Sequence, residues 1–155
     1  MSRRLKQAAI VFVILFAAAQ LVRPERTNPP IDVSRTFQAH VGTASGLVAV
    51  LDRACNECHS NETVWPWYTQ IAPVSWLMAR GVTEGRKAVN FSEWVAYSRE
   101  QQLDLLVASC QDVSADTMSG PYRFVRPEVR LSAQDVETIC AAARQGEAQA
   151  AGVLQ

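Results

Sequence analysis

The fold of this 155-residue chain depends on the stretch Cys55-Asn56-Glu57-Cys58-His59-Ser60-Asn61. Two cysteines separated by two residues and followed at once by a histidine form the arrangement that attaches a c-type haem. On one helical turn the two thiols can reach the two vinyl groups along one edge of the porphyrin, and the next side chain can turn back towards the iron. The motif therefore predicts one covalent haem c, attached through Cys55 and Cys58, with His59 as an iron ligand.

Two other kinds of site share part of this motif. A bare Cys-x-x-Cys also occurs in redox dithiols and as half of a zinc site. A zinc site needs two more ligands at matching spacing, and the remaining cysteines, Cys110 and Cys140, form no second Cys-x-x-Cys. A thioredoxin-like dithiol is expected within a βαβ pattern, and no segment shows the sustained alternation of a strand. The motif therefore favours haem.

Charge is unevenly distributed although the formal net charge is zero. All fifteen acidic residues lie at Glu25 or later, whereas four basic residues precede it, which leaves eleven basic residues against fifteen acids beyond Pro24. A mildly acidic body argues against nucleic acid as a partner, because nucleic acid needs a basic face. The sequence also lacks a glycine-rich phosphate loop.

Residues 1–23 combine a basic start with the apolar run Ala8–Val22. Basic residues before an apolar run keep the N-terminus in the cytoplasm and send the following chain across the membrane. A helix from Leu5 to Val22 would rise about 27 Å, close to the roughly 30 Å of a hydrocarbon core. We expect a single-pass anchor in the bacterial cytoplasmic membrane, with the haem domain facing the periplasm. A signal peptide cleaved near Ala17-Ala18-Ala19 is the alternative.

The remaining chain divides by composition into three parts. Residues 24–36 contain three prolines, which predict an extended linker because proline fixes φ and removes a helix donor. Residues 37–146 hold the motif and the apolar patterns, and they form the predicted haem-binding domain. Residues 147–155 are rich in Gln and Ala and are expected to fray.

Apolar residues recur at helical spacing throughout the predicted domain. Leu47, Val50 and Leu51 form one stripe, which leads into Cys55. Because the other apolar patterns are also helical, the fold class is predicted to be all-α, a helical domain after an N-terminal apolar helix.

Two further helices are expected between the motif and Cys110. Ser75 follows a proline and is a candidate N-cap for a helix that ends near Gly81 or Gly85. Ser92 is a candidate N-cap for the next helix, which would run towards Cys110.

The last helix has the clearest boundaries. Ser132 and Asp135 resemble a capping box with Asp in place of Glu, and Gly146 is suitably placed to end the helix. Cys110 and Cys140 lie on apolar helical stripes and are expected to form a disulfide in an oxidising compartment. Two buried free thiols are the alternative.

Large aromatic residues follow the motif closely. We predict that four of them contact the haem, since aromatic side chains bury extensive area and their polar ends could meet a propionate. These are Trp65, Trp67, Tyr68 and Trp76. The alternative is that they form the core of a small domain. Arg86 and Lys87 could likewise pair with a propionate or form a solvated helix end.

Taken together, these residues resemble the membrane-anchored bacterial haem-binding domain family, which is related to cytochromes c. The resemblance extends from residue 23 to about residue 143 and is carried by the motif and by four later stretches. These are Trp65-Pro66-Trp67-Tyr68, Ile71-Ala72-Pro73-Val74-Ser75-Trp76, Gly85-Arg86 and Asn90-Phe91-Ser92-Glu93-Trp94. The resemblance implies a small helical cytochrome c-like domain outside the cytoplasmic membrane with one covalent haem. By position it also implies that Met118 is the second iron ligand. Here Met118 precedes Ser119-Gly120-Pro121 rather than a proline directly, and Arg126 stands where the family has a histidine.

The chemistry of Met118 agrees with that implied role, because a soft thioether in a polar loop is poorly placed as core filler. His40, Met78 and an open sixth position are the alternatives. Iron held by histidine and methionine is six-coordinate and changes only its valence. We therefore expect a non-enzymatic carrier of single electrons that meets a redox protein partner. A haem sensor with a labile ligand, or a peroxidase-like enzyme with His40 as its acid–base group, would be the other functions.

Overall fold

A computed structural model of the chain describes residues 2–41, 46–117 and 126–152. Seven α-helices and four short 3-10 helices occupy these ranges, which contain no β-strand, so the predicted all-α class is confirmed. The α-helices are α1 (Arg3–Ala19), α2 (Phe37–Val41), α3 (Gly46–Ala54), α4 (Asn56–His59), α5 (Val74–Ala88), α6 (Arg99–Ser114) and α7 (Ala133–Gly152). The 3-10 helices are Val33–Arg35, Trp67–Gln70, Phe91–Ala96 and Pro127–Val129.

The N-terminal helix ends three residues earlier than the sequence suggested. Helix α1 spans 17 residues, from Arg3 to Ala19, and buries none of them. Within the described ranges, no helix is long and apolar enough to cross a membrane. The predicted single-pass anchor, and the membrane localisation with it, is therefore wrong. The apolar run does not continue as a helix to Val22, because Gln20 turns towards the domain and its Oε1 accepts the N–H of Ala72 at 2.9 Å.

Residues 22–32 are not helical and lie against the domain. The Arg26 guanidinium donates to the Thr69 carbonyl at 2.6 Å, and the Asn28 amide donates to the Thr63 carbonyl at 2.8 Å. The predicted linker is therefore hydrogen-bonded along its length to the segment that follows the motif.

The core is centred on Phe37, which is 1% exposed. Its ring makes edge contacts with Phe91 and Trp94, at centroid distances of 5.6 and 4.8 Å. Buried residues of α3, α6 and α7 complete the same cluster, among them Leu51 and Ile139. Burying an aromatic or aliphatic side chain of this size contributes about 1.5 to 3 kcal/mol, so this cluster fixes α3, which leads into the motif, against α7.

Helix α5 differs from its predicted boundaries. It begins at Val74, and Ser75 is buried inside its first turn and is not its cap. It continues through Gly81 and Gly85 to Ala88. Neither glycine ends the helix, and at Gly85 the helix packs closely against α4.

The predicted cap at Ser92 is also displaced. Asn90 caps the 3-10 helix instead, with its Oδ1 accepting the Ser92 N–H at 3.0 Å. Helix α6 starts only at Arg99, after a capping box formed by Ser98 and Gln101. The single helix predicted between Ser92 and Cys110 is therefore two elements, a 3-10 helix and α6, with a break at residues 97–98.

The last helix confirms its predicted start but not its predicted end. Ser132 and Asp135 form the capping box, with the Ser132 N–H donating to Asp135 Oδ2 at 2.8 Å and the Asp135 N–H donating to Ser132 Oγ at 3.2 Å. Helix α7 continues past Gly146 to Gly152, so the predicted stop is wrong. A Cβ at Gly146 would lie 3.0 Å from Leu103 Cδ1, so α6 packs closely against α7 at this position.

Helices α6 and α7 are also joined covalently. Cys110 of α6 and Cys140 of α7 form the predicted disulfide, with Cα atoms 4.8 Å apart.

Candidate functional site

The motif forms one tight turn at the end of α3. The Cys55 N–H still donates to the Leu51 carbonyl at 2.8 Å, and the chain then breaks and restarts as α4. The N–H groups of Cys58 and His59 both donate to the Cys55 carbonyl, at 3.1 and 2.9 Å. The two free thiols and the imidazole therefore lie on a single turn, as the motif requires.

His59 is oriented by the backbone after α5. Its Nδ1 atom lies 3.2 Å from the Val89 carbonyl oxygen. A carbonyl can only accept, so Nδ1 carries the proton and Nε2 keeps its lone pair free for a metal. Burial lowers the pKa of His59, although the Val89 carbonyl opposes that shift. The ring is therefore held in the neutral, metal-binding form.

The two motif thiols are neutral in this conformation. Burial raises the pKa of Cys55 to about 12, and the neighbouring Cys58 adds to the effect. Burial likewise raises the pKa of Cys58 to about 11, helped by the Glu57 carboxylate. A reactive dithiol needs a lowered pKa, so this geometry disfavours the redox reading. Among the described residues, no three His, Cys, Asp or Glu side chains are grouped as a metal cluster, so zinc gains no support there.

A small apolar cavity lies beside the turn. It has a volume of about 10 Å³ and is lined by Leu51, Cys55, His59, Val89, Phe91, Ser109, Val113 and Ile139. This space corresponds to roughly one water molecule. The donor set and the apolar lining suit a haem, whereas a cavity of this size is far smaller than a porphyrin.

The end of α5 contacts the motif at several points. A Cβ at Gly85 would lie 2.5 Å from the Cys58 carbonyl oxygen. The Arg86 guanidinium donates to the Ser60 carbonyl at 2.7 Å and to Thr63 Oγ1 at 2.9 Å. The sequence reading missed both roles, since it treated Gly85 as a helix end and Arg86 as a propionate partner or a solvated residue. The pair Gly85-Arg86 inside the family resemblance was the signal that could have pointed to them.

Glu57, inside the motif, is held from two sides. Its Oε1 pairs with Arg126 at 3.6 Å, and its Oε2 accepts the Val64 N–H at 3.1 Å. Arg126 therefore contacts the attachment turn itself.

The four predicted aromatic residues do not line the cavity. The indoles of Trp65 and Trp76 donate to the Asn28 side chain and to the Val22 carbonyl, at 3.3 and 2.8 Å. Trp67 is 75% exposed, and the hydroxyl of Tyr68 is buried without a hydrogen-bond partner. In this structure two of the four thus fasten the N-terminal segment to the domain.

None of the three candidates for a second iron ligand is seen beside His59 among the described residues. Met118 falls outside the described residues. His40 is exposed and its Nε2 lies 3.1 Å from the Ser34 carbonyl, whereas Met78 is only 4% exposed and belongs to the core. Neither His40 nor Met78 lines the cavity.

Comparison with known proteins identifies a family. Residues 14–145 match a family model described as a haem-binding domain, and this match covers most of the chain. No curated protein and no solved structure matches the chain.

Proposed function

This chain belongs to the haem-binding domain family, and we propose that it is a cytochrome c-like protein that carries single electrons on one covalently bound haem. One observation carries the proposal: His59 presents a free Nε2 on the same turn as two free thiols, and Nδ1 is already occupied by the Val89 carbonyl. A zinc site would need more ligands, and a dithiol would need acidic thiols. Covalent haem attachment uses this donor set as it stands.

Each residue of the turn has a distinct task in this proposal. Cys55 and Cys58 would each add a thiol S–H across a vinyl group, which forms one S–C bond, moves one hydrogen to the vinyl carbon and requires no oxidant. His59 would hold the iron through Nε2. When bound, the haem iron supplies the one-electron chemistry. The apolar side chains of Leu51 and Phe91 would keep water away, which disfavours the charged ferric state and raises the potential.

We propose Met118 as the second iron ligand. The positions of His40 and Met78 support this choice, because one is exposed and bonded elsewhere and the other is buried in the core. A neutral sulfur ligand favours ferrous iron and leaves no free coordination position. A protein of this kind exchanges electrons with a redox protein partner and performs no reaction of its own.

The first experiment tests attachment. We would express the chain in a host with c-type maturation and stain a denaturing gel for haem. Haem should remain on the wild type and be lost from the Cys55→Ala, Cys58→Ala double variant. The matched control is the Cys110→Ala, Cys140→Ala double variant, which also removes two cysteines and should keep its haem. Haem that leaves the wild-type polypeptide on acid extraction would refute covalent attachment.

The second experiment tests the electron-carrier role. Absorption spectra of the ferric and ferrous protein, with and without carbon monoxide, distinguish a filled sixth position from a labile one. A low-spin spectrum that ignores carbon monoxide supports electron transfer. Ready binding of carbon monoxide would support a sensor instead.

A further inference from the structure

Three consecutive residues of the attachment turn are each held by the end of α5. The backbone of Cys58 contacts Gly85, the ring of His59 bonds to the Val89 carbonyl, and the Ser60 carbonyl accepts from Arg86. We call Gly85, Arg86 and Val89 the α5 clamp. Its parts are coupled, because the Val89 N–H donates to the Gly85 carbonyl at 3.0 Å. A displacement at Gly85 therefore moves both Cys58 and the carbonyl that orients His59.

Gly85 is at the point of closest approach between α5 and the turn. A Cβ built there lies 2.5 Å from the oxygen, 3.0 Å from the carbonyl carbon and 3.1 Å from the Cβ of Cys58. Backbone atoms cannot swing aside as a flexible side chain can, so any side chain at this position pushes the turn away. Gly81, one turn earlier, would place its Cβ in open space. The need for glycine at position 85 thus comes from the attachment turn and not from the helix.

Arg86 joins the turn to the N-terminal segment. Its guanidinium donates to Ser60 and Thr63 on one side and to the Thr27 carbonyl and Asn28 Oδ1 on the other, at 2.7 to 2.9 Å. All four acceptors are neutral oxygens. A planar fork with five donors can make these four bonds together, whereas the single ammonium of lysine cannot.

We propose that the α5 clamp is the positioning element for the iron ligand, and that it holds Cys58, His59 and Ser60 in the ligating arrangement before any haem is attached. This inference rests on the proposed function. Gly85 and Arg86 are then positioning residues. They act on the iron only through the orientation of the His59 ring.

The test uses Gly85→Ala, with Gly81→Ala as a control that adds the same methyl group to the same helix. The first measurement is hydrogen exchange of the backbone amides at positions 58 and 59 in a full chain carrying Cys55→Ala and Cys58→Ala, which cannot attach haem and keeps the backbone of the turn. Gly85→Ala should speed exchange of these amides roughly tenfold or more, because it opens the turn locally. Gly81→Ala should leave it at the starting rate.

The second measurement uses the haem-loaded protein with its motif cysteines intact. Gly85→Ala should shift the midpoint potential and the ferric electron paramagnetic resonance signals, and Gly81→Ala should shift neither. Arg86→Lys keeps the positive charge but loses the planar set of donors. It should therefore shift the potential and the resonance signals in the same direction as Gly85→Ala, but by a smaller amount. If circular dichroism shows that Gly85→Ala does not fold, the same two measurements are made on Arg86→Lys, with Arg80→Lys as its control.

The two measurements separate the possible failures. Equal exchange in Gly85→Ala and Gly81→Ala would overturn the claim that the clamp forms without haem. Faster exchange together with an unchanged potential and unchanged resonance signals would overturn the positioning role. A wild-type chain that takes up no haem would overturn the proposed function and the positioning role with it, while the exchange experiment still decides whether the clamp exists.

Discussion

The Nδ1 atom of His59 lies 3.2 Å from the carbonyl oxygen of Val89, the residue that caps the C-terminus of α5. A ring that donates its Nδ1 proton to this oxygen gains electron density and becomes a stronger ligand through Nε2. The strength of the proposed iron ligand is therefore set partly by a residue that contributes no ligand itself.

Met118 is the first residue whose substitution we would examine. Met118→Ala should abolish the weak sulfur-to-iron charge-transfer band of the ferric protein and allow carbon monoxide to bind the ferrous protein, because it removes the proposed sulfur ligand. Met78→Ala is the matched control: it should retain the band but lower the free energy of unfolding by about 2 to 5 kcal/mol, since Met78 is buried in the core. A band that survives unchanged in Met118→Ala would exclude this methionine as the ligand.

The Cys110–Cys140 disulfide should contribute substantially to stability. It closes a loop with a sequence separation of 30 residues, and in the chain-entropy model a loop of that size contributes about 3 to 4 kcal/mol. Urea denaturation of the Cys110→Ala, Cys140→Ala double variant should show a loss of this size. Mass spectrometry of the wild type after alkylation without reductant should find neither cysteine modified, and two labelled thiols would disprove the bridge.

Phe37 should be among the most sensitive positions of the core. Phe37→Ala removes a ring that is 1% exposed and packed on two aromatic neighbours, so unfolding should become easier by about 3 to 5 kcal/mol. Phe12 on α1 is 69% exposed, and Phe12→Ala should change the free energy of unfolding by no more than about 0.5 kcal/mol. Equal effects of the two substitutions in thermal or urea denaturation would contradict the described packing.

Asp135 should make the fold sensitive to acid. The Ser132 N–H, and to a lesser extent Arg53, lowers the pKa of Asp135 below its usual 3.8. Because the folded pKa is the lower one, its stabilising contribution is fully present above the unfolded pKa and is lost as the pH falls through the folded value. Asp135→Asn should weaken the pH dependence of urea denaturation on the acid side. Gln134→Ala, which leaves the carboxylate in place, should preserve it.

The sequence predicted those features that depend on local pattern. The capping box of Ser132 and Asp135 and the stripe that leads into Cys55 rest on contacts between residues near in sequence. The disulfide was predicted from two apolar stripes and the compartment, which required no knowledge of the tertiary arrangement. The position of His59 followed from the motif, because the thiols and the ring share one turn.

Apart from the disulfide, features that depend on contacts between distant segments were missed. Gly85 and Gly146 looked like helix ends, since glycine often follows a helix, but both are inside helices and allow a neighbouring element to approach. The end of α1 was predicted three residues too late, and hydropathy does not register that Gln20 bonds to Ala72, fifty-two residues away in sequence.

The hydrogen bonds between residues 26–30 and residues 61–69 indicate how much of the chain the domain needs in order to fold by itself. Arg26 and Asn28 donate to carbonyls of residues 69 and 63, and Pro30 accepts from the Asn61 side chain at 3.3 Å. A truncated version that began at residue 37 would expose these carbonyls to water and would leave Arg86 without two of its four acceptors. The smallest fragment that retains the attachment turn intact therefore starts upstream of Arg26. That starting point lies within residues 24–36, which composition alone assigns to a linker.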